Sequence, residues 1–165
     1  MIGKVLIGGL LCLASAAFVR AADNPIPEEF RTALEKGDTI ELYSLEPEKG
    51  ERSPDDVLFH GTKVLGKTQL KKDSRAKVVA AFVKSVGDAN QKGSEGCFDP
   101  RHGIRVQHGG KVYDFEICFE CKKVYLYKDD DKQERLRINI GGDPEDIFNT
   151  ILKDAKIKLP KPPKS

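Results

Sequence analysis

Apolar residues recur along this chain with two periods, and the switches between them mark its elements. Residues 27–36 predict a short helix. Pro27 stands at its first position, Glu28 and Glu29 fall in its first turn, Phe30 and Leu34 share one side, and Gly37 follows as a stop. Residues 39–45 predict a strand with Ile40 and Leu42 on one face. The polar stretch 46–56 holds Pro47, Gly50 and Pro54 and reads as a loop. Residues 57–70 read as one or two short strands interrupted by Gly61 and Gly66. Beyond Asp73, residues Val78, Val79, Phe82, Val83 and Val86 recur at intervals of three and four, the stripe of an amphipathic helix. Asp73 or Ser74 is its expected cap and Gly87 its end, with a loop over 88–96.

A β region follows. Residues 103–108 and 111–119 flank Gly109-Gly110, the composition of a two-residue hairpin turn. That turn makes Ile104 face Phe115 and Val106 face Tyr113, with Ile117 extending the apolar face. On the other face Arg105 meets Asp114 as an opposite-charge pair. A slip by one residue would mix the two faces. Val124 to Tyr127 continue or restart the second strand, residues 128–132 form a charged turn, and 134–140 alternate with Leu136, Ile138 and Ile140 together. Asp143-Pro144-Glu145-Asp146 starts a last helix, with Ile147, Phe148, Ile151, Leu152 and Ala155 on one stripe and Lys153 and Lys156 near its negative end. There is no internal repeat. Strands in series bracketed by helices imply an α+β fold: a single antiparallel β-sheet with helices packed mainly on one face.

The N-terminus changes the arithmetic. Lys4, the apolar run from Val5 to Phe18, and Val19-Arg20-Ala21 read as a secretory signal with cleavage after Ala21 and Ala22 as the near alternative. The run is too short to span a bilayer comfortably. Lipidation at Cys12 is disfavoured by the bulk of Leu11. The expected organisation is a signal peptide over 1–21, a short helix and lead-in over 22–38, a single α+β domain over 39–158, and a disordered Pro/Lys-rich tail over 159–165. The location is then extracytoplasmic, periplasmic or secreted, with no stable membrane anchor after cleavage. Cleavage removes Lys4 and Arg20 and no acid, so the 28 basic residues of the full chain become 26 against 26 acidic. A chain without net charge has no electrostatic footprint for nucleic acid. With 39% hydrophobic and 33% charged residues it is neither a membrane channel nor wholly disordered.

Cleavage also removes Cys12, leaving Cys97, Cys118 and Cys121. An odd count in an oxidising compartment means a free thiol, an intermolecular bond or a non-disulfide use. The hairpin register places His102 opposite Ile117, next to Cys118, so Cys97, His102, Cys118 and Cys121 gather at the open end of the hairpin. Three readings stand. A zinc-like site would use all four as ligands, the Cys-x-x-Cys half being typical, but needs a turn near 120–122. A structural disulfide would join Cys97 to Cys118 or Cys121. A bridge between Cys118 and Cys121 is disfavoured in an extended strand, where three residues span about 10 Å against a Cα limit near 7 Å. Thiol-disulfide redox chemistry is the third, weakened because reactive pairs usually sit at a helix N-terminus.

Cys97-Phe98-Asp99-Pro100-Arg101-His102-Gly103-Ile104 followed by Ile117-Cys118-Phe119-Glu120-Cys121 resembles the paired signature of a family of small, exported, uncharacterised bacterial proteins. Val64-Leu65-Gly66-Lys67-Thr68 is similar too, and the resemblance covers most of the chain after residue 39. It implies that the cysteines and His102 act as one unit, and implies no activity.

The remaining candidates have plainer readings. His60 and His108 read as packing or surface residues, Asp129-Asp130-Asp131 as a turn without the spacing of a calcium loop, Arg101 as solvated, and Lys156, Lys158, Lys161 and Lys164 as a solubilising end. No nucleophile elbow or phosphate loop is present. The expectation is a small exported binding or accessory domain with a structural Cys/His cluster, leaning away from an enzyme, and with a protein as its partner outside the cytoplasm. A metal-binding protein, with zinc as the cofactor, and a thiol redox protein are the alternatives.

Overall fold

The computed structural model describes residues 26–48, 53–89, 97–129, 131 and 134–162, and the expected signal segment 1–21 lies outside them. Among the described residues three helices, α1 (Glu28–Lys36), α2 (Lys72–Gly87) and α3 (Glu145–Asp154), accompany seven strands. These are β1 (Thr39–Glu46), β2 (Leu58–Phe59), β3 (Thr62–Gln69), β4 (His102–His108), β5 (Lys111–Cys118), β6 (Lys123–Lys128) and β7 (Leu136–Asn139). All pairs are antiparallel and form one curled sheet, a half-barrel, in the order β2-β3-β1-β4-β5-β6-β7. The protein is therefore a mixed helix and antiparallel-sheet fold.

The β4–β5 register is the expected one: Ile104 faces Phe115, Val106 faces Tyr113, and Arg105 faces Asp114. Gly109 and Gly110 take φ of 58° and 76°, the left-handed backbone a tight primed turn requires. One side of the sheet, with Ile40, Leu42, Ile104, Phe115, Ile117 and Leu126, joins Phe30, Leu34, Phe82, Phe148 and Leu152 from the helices in one core. On the other side Tyr43, Leu45 and Phe59 form a second small cluster. That side is not simply wetted, since Asp114 and Glu116 are also buried there.

Several local expectations shift. Pro27 caps α1 rather than opening it. Helix α2 begins at Lys72, so neither Asp73 nor Ser74 caps it; Ser74 Oγ donates to the Lys71 carbonyl from within the first turn. The earlier start follows from Leu70, which is buried and donates its N–H to Ile40. Gly66 does not interrupt β3. It lies at a bulge, where the β1 register shifts between Ser44 and Leu45, and a Cβ there would meet Ile157 at 2.9 Å. Ile147 is 40% and Leu136 46% exposed, so neither belongs to the core its pattern suggested. Leu136 fails because β7 is an edge strand.

Residues 159–162 of the expected disordered tail lie against the sheet, while 163–165 fall outside the described residues. Ile157 and Leu159 pack on the core, and Ser44 Oγ donates to the Lys158 carbonyl at 2.7 Å. Arg101 is the anchor rather than a solvated side chain. It is 12% exposed, donates from Nε to the Lys161 carbonyl at 3.1 Å, and pairs with Glu120. Among the described residues no helix is long and apolar enough to cross a membrane.

The approach of β7's C-terminal end to the end of α2 has no room for a side chain. Gly141 donates its N–H to Ser85 at 2.6 Å, and a Cβ there would overlap the Asp88 carbonyl. Backbone cannot move aside as a flexible side chain can. Gly141→Ala is expected to cost about 3 kcal/mol, within the range of overpacked cores, read as a lower midpoint in urea unfolding with an unchanged slope.

Candidate functional site: three sulfurs beside a polar cavity

Strand β5 ends at Cys118, and the chain turns back over residues 119–122 before Lys123 pairs with Cys118. Lys122, with φ of 52°, donates its N–H to the Phe119 carbonyl at 3.1 Å and closes the turn. The chain beyond Cys118 is thus not extended. The Cα atoms of Cys118 and Cys121 stand 5.2 Å apart with their sulfurs at disulfide distance. A bridge between these two is disfavoured for an extended strand, and the disulfide reading pairs Cys97 with one of them; the turn brings Cys118 and Cys121 together instead. Among the described residues Cys97 is the free cysteine.

Cys97 still joins the group. All three sulfurs lie within 4.8 Å of one another, with Cys118 and Cys121 buried and Cys97 partly so. The segment carrying Cys97 is held by backbone and side chain. Arg101 donates its N–H to Ile117 and accepts from the N–H of Leu45, Lys123 Nζ donates to the Cys97 carbonyl at 3.3 Å, and Phe98 packs edge-on against Tyr125. Three cysteines so placed could bind a metal ion.

His102 does not meet them. It pairs with Ile117 in the ladder, so its side chain carries the parity of the core face, while Cys118 carries that of Asp114 and Glu116. Its ring packs against Phe119 and Phe148, and its Nε2 lies 2.9 Å from Asn149 Oδ1. Burial lowers its pKa from 6.5 to about 4, and the Asn149 contact opposes that shift only in part. His102 is a neutral core histidine.

Sequence reasoning missed the cavity on the side of the sheet facing away from His102. It has a volume of about 490 Å³, and its wall includes Thr62, Phe98, Glu116, Tyr125, Tyr127 and Arg135. The tail supplies Lys158 and Lys161 at its edge. His60, expected to be bland, is central to this wall. Its backbone is left-handed, with φ of 50°, at the β2–β3 turn. Its ring stacks on Tyr127 with centroids 3.6 Å apart, and its Nε2 meets Asp114 Oδ2 at 2.7 Å. Arg105 donates to both oxygens of the same carboxylate, at 2.8 and 2.6 Å. Glu116 accepts from Thr62 Oγ1 at 2.9 Å and from the Tyr127 hydroxyl at 3.0 Å. Desolvation raises the Glu116 pKa, and the two donors counter it; burial first, then Glu116, raises that of Tyr127. The alternating strand pattern of β5 offers no warning of this wall. Asp114 reads there only as the cross-strand partner of Arg105 on β4, and Glu116 as another polar position.

No family model, curated protein or solved structure matches the chain.

The buried ring of His102 sets a pH dependence. Folding lowers its pKa below 6.5, so its stabilising share is complete above that value and is lost as pH falls toward about 4. The loss amounts to roughly 3 kcal/mol. Urea unfolding at pH 7 and pH 4.5 is expected to show this drop in the wild type and a flatter profile in His102→Gln. A ring that titrates near 6.5 by NMR would contradict it.

Proposed function

We propose that the chain is a small exported binding or accessory domain, with its cysteine cluster acting as a structural clasp. The observation that carries this reading is the placement of the sulfurs. Cys118 and Cys121 sit at disulfide distance in a buried turn, and Cys97 beside them immediately precedes Phe98, Asp99 and Pro100 on the cavity wall. The cluster so placed steadies the rim of the cavity. The cavity lies within the size range of small-molecule sites. The buried groups in its wall are already satisfied, Glu116 by Thr62 and Tyr127 and His60 by Asp114 behind it. That suits a preformed recognition surface more than a catalytic centre, which needs a group poised to react. The three helices are taken to pack mainly on the face away from this cavity, in line with their shared core. The resemblance to a family of exported bacterial proteins supports the extracytoplasmic location, where a protein partner is the expected one.

A second reading is a metal protein, favoured by the mutual closeness of the three sulfurs. A zinc-like site of four ligands would need a donor other than His102.

Peptide mapping without reduction separates the two readings. The clasp predicts a Cys118–Cys121 bridge with Cys97 alkylated. Closing so short a loop is worth about 2 kcal/mol, so Cys118→Ser should lower stability by that order. Three alkylated thiols and one equivalent of zinc would favour the metal protein. Expressed with its leader in a bacterial host, the chain is expected in the extracytoplasmic fraction with Ala22 at its N-terminus by intact mass.

A further inference from the structure

Three sulfurs gathered at one end of a sheet have a coordination preference of their own. Thiolates around one metal at about 2.3 Å each stand about 4 Å apart; the three sulfurs lie within 4.8 Å of one another, and reduction of the Cys118–Cys121 pair, now at disulfide distance, frees all three as donors. A structural zinc site takes four ligands. The histidine nearest in sequence is unsuited as the fourth. His102 projects to the opposite face, is enclosed by Phe119 and Phe148, and has Nε2 against Asn149. Among the described residues the grouped donors are the three cysteines.

We propose that, when its thiols are reduced, the cluster of Cys97, Cys118 and Cys121 is a three-coordinate site for a soft monovalent cation, copper(I). The proposal rests on the metal reading above and goes beyond it in the ion and the ligand count. Soft thiolates select copper(I), and an all-sulfur set of three leaves that ion no need of a fourth donor. Lys123 is buried, pairs with Cys118 in the ladder, and places its ammonium 3.3 Å from the Cys97 carbonyl. Loading exchanges three thiol protons for one cation and leaves the site doubly negative, which the same ammonium partly offsets. Cys97, the partly exposed member, is the point of entry, and the buried pair completes the site.

The test uses the full chain carrying Cys12→Ser, reduced with a phosphine and kept anaerobic, titrated with copper(I) against a chromogenic chelator and separately with zinc(II). One equivalent of copper(I) should resist the chelator, with a thiolate charge-transfer band in the ultraviolet. It should be lost in Cys97→Ser and retained in His102→Gln. X-ray absorption of the loaded protein should count three sulfur neighbours and no nitrogen, a readout that does not depend on any cysteine variant folding. Copper(I) retained by Cys97→Ser, or a nitrogen neighbour, would overturn the three-sulfur site. Tight zinc(II) with no copper(I) would overturn the ion while leaving the metal reading intact. Neither metal bound by fully reduced, folded protein would sink both.

Discussion

The two-residue turn at Gly109-Gly110 sets which side of β4 and β5 every residue occupies. Both glycines adopt positive φ, so the turn is tight and its strands leave it in one register. That register sends Ile104, Val106, Phe115 and Ile117 into the main core and Arg105, Asp114, Glu116 and Cys118 to the other side. Slipping by one residue would carry two carboxylates into a core built on Phe30, Phe82 and Phe148. An unpaired charge in such a place costs several kcal/mol, more than a hairpin can recover. The central position of β4 and β5 then passes this choice to β1 on one side and β6 on the other.

The face away from the main core is where polar groups are buried together. Asp114 is tolerable there because Arg105 grips both its oxygens and His60 adds a third contact. Glu116 is tolerable because two hydroxyls point at it. Each group would be costly alone, and each is held by residues distant in sequence. The tail contributes in the same way. Arg101 and Ser44 accept the chain end as a further layer, which brings Lys158 and Lys161 to the cavity edge.

The hairpin, the stripe of α2 and the succession of strands along the chain were legible because they depend on spacing within one segment. The turn at 119–122 was not. Phe119-Glu120-Cys121-Lys122 holds no glycine, proline, asparagine or aspartate, so nothing local announces that the strand stops at Cys118. That one unannounced reversal brought Cys121 back to Cys118 and undid the separation expected of an extended chain. His102 shows the opposite case. Its parity was available from the register, yet nearness to Cys118 along the ladder suggested nearness of side chains, and the pleat puts the two on opposite faces. His60 was illegible for a third reason. Its partners, Asp114 and Tyr127, lie across the sheet and are reached only once β2 and β3 fold over it.

By itself the chain determines its periodicities, its hairpin register and the gathering of Cys97, Cys118 and Cys121 toward the open end of that hairpin, because each follows from local spacing and composition. Only the tertiary structure decides that those cysteines share one corner without His102, and that His60 and Glu116 wall a cavity. Such groupings depend on where strands reverse and which elements cross, and those choices arise from the packing of the whole sheet rather than from any one stretch of residues.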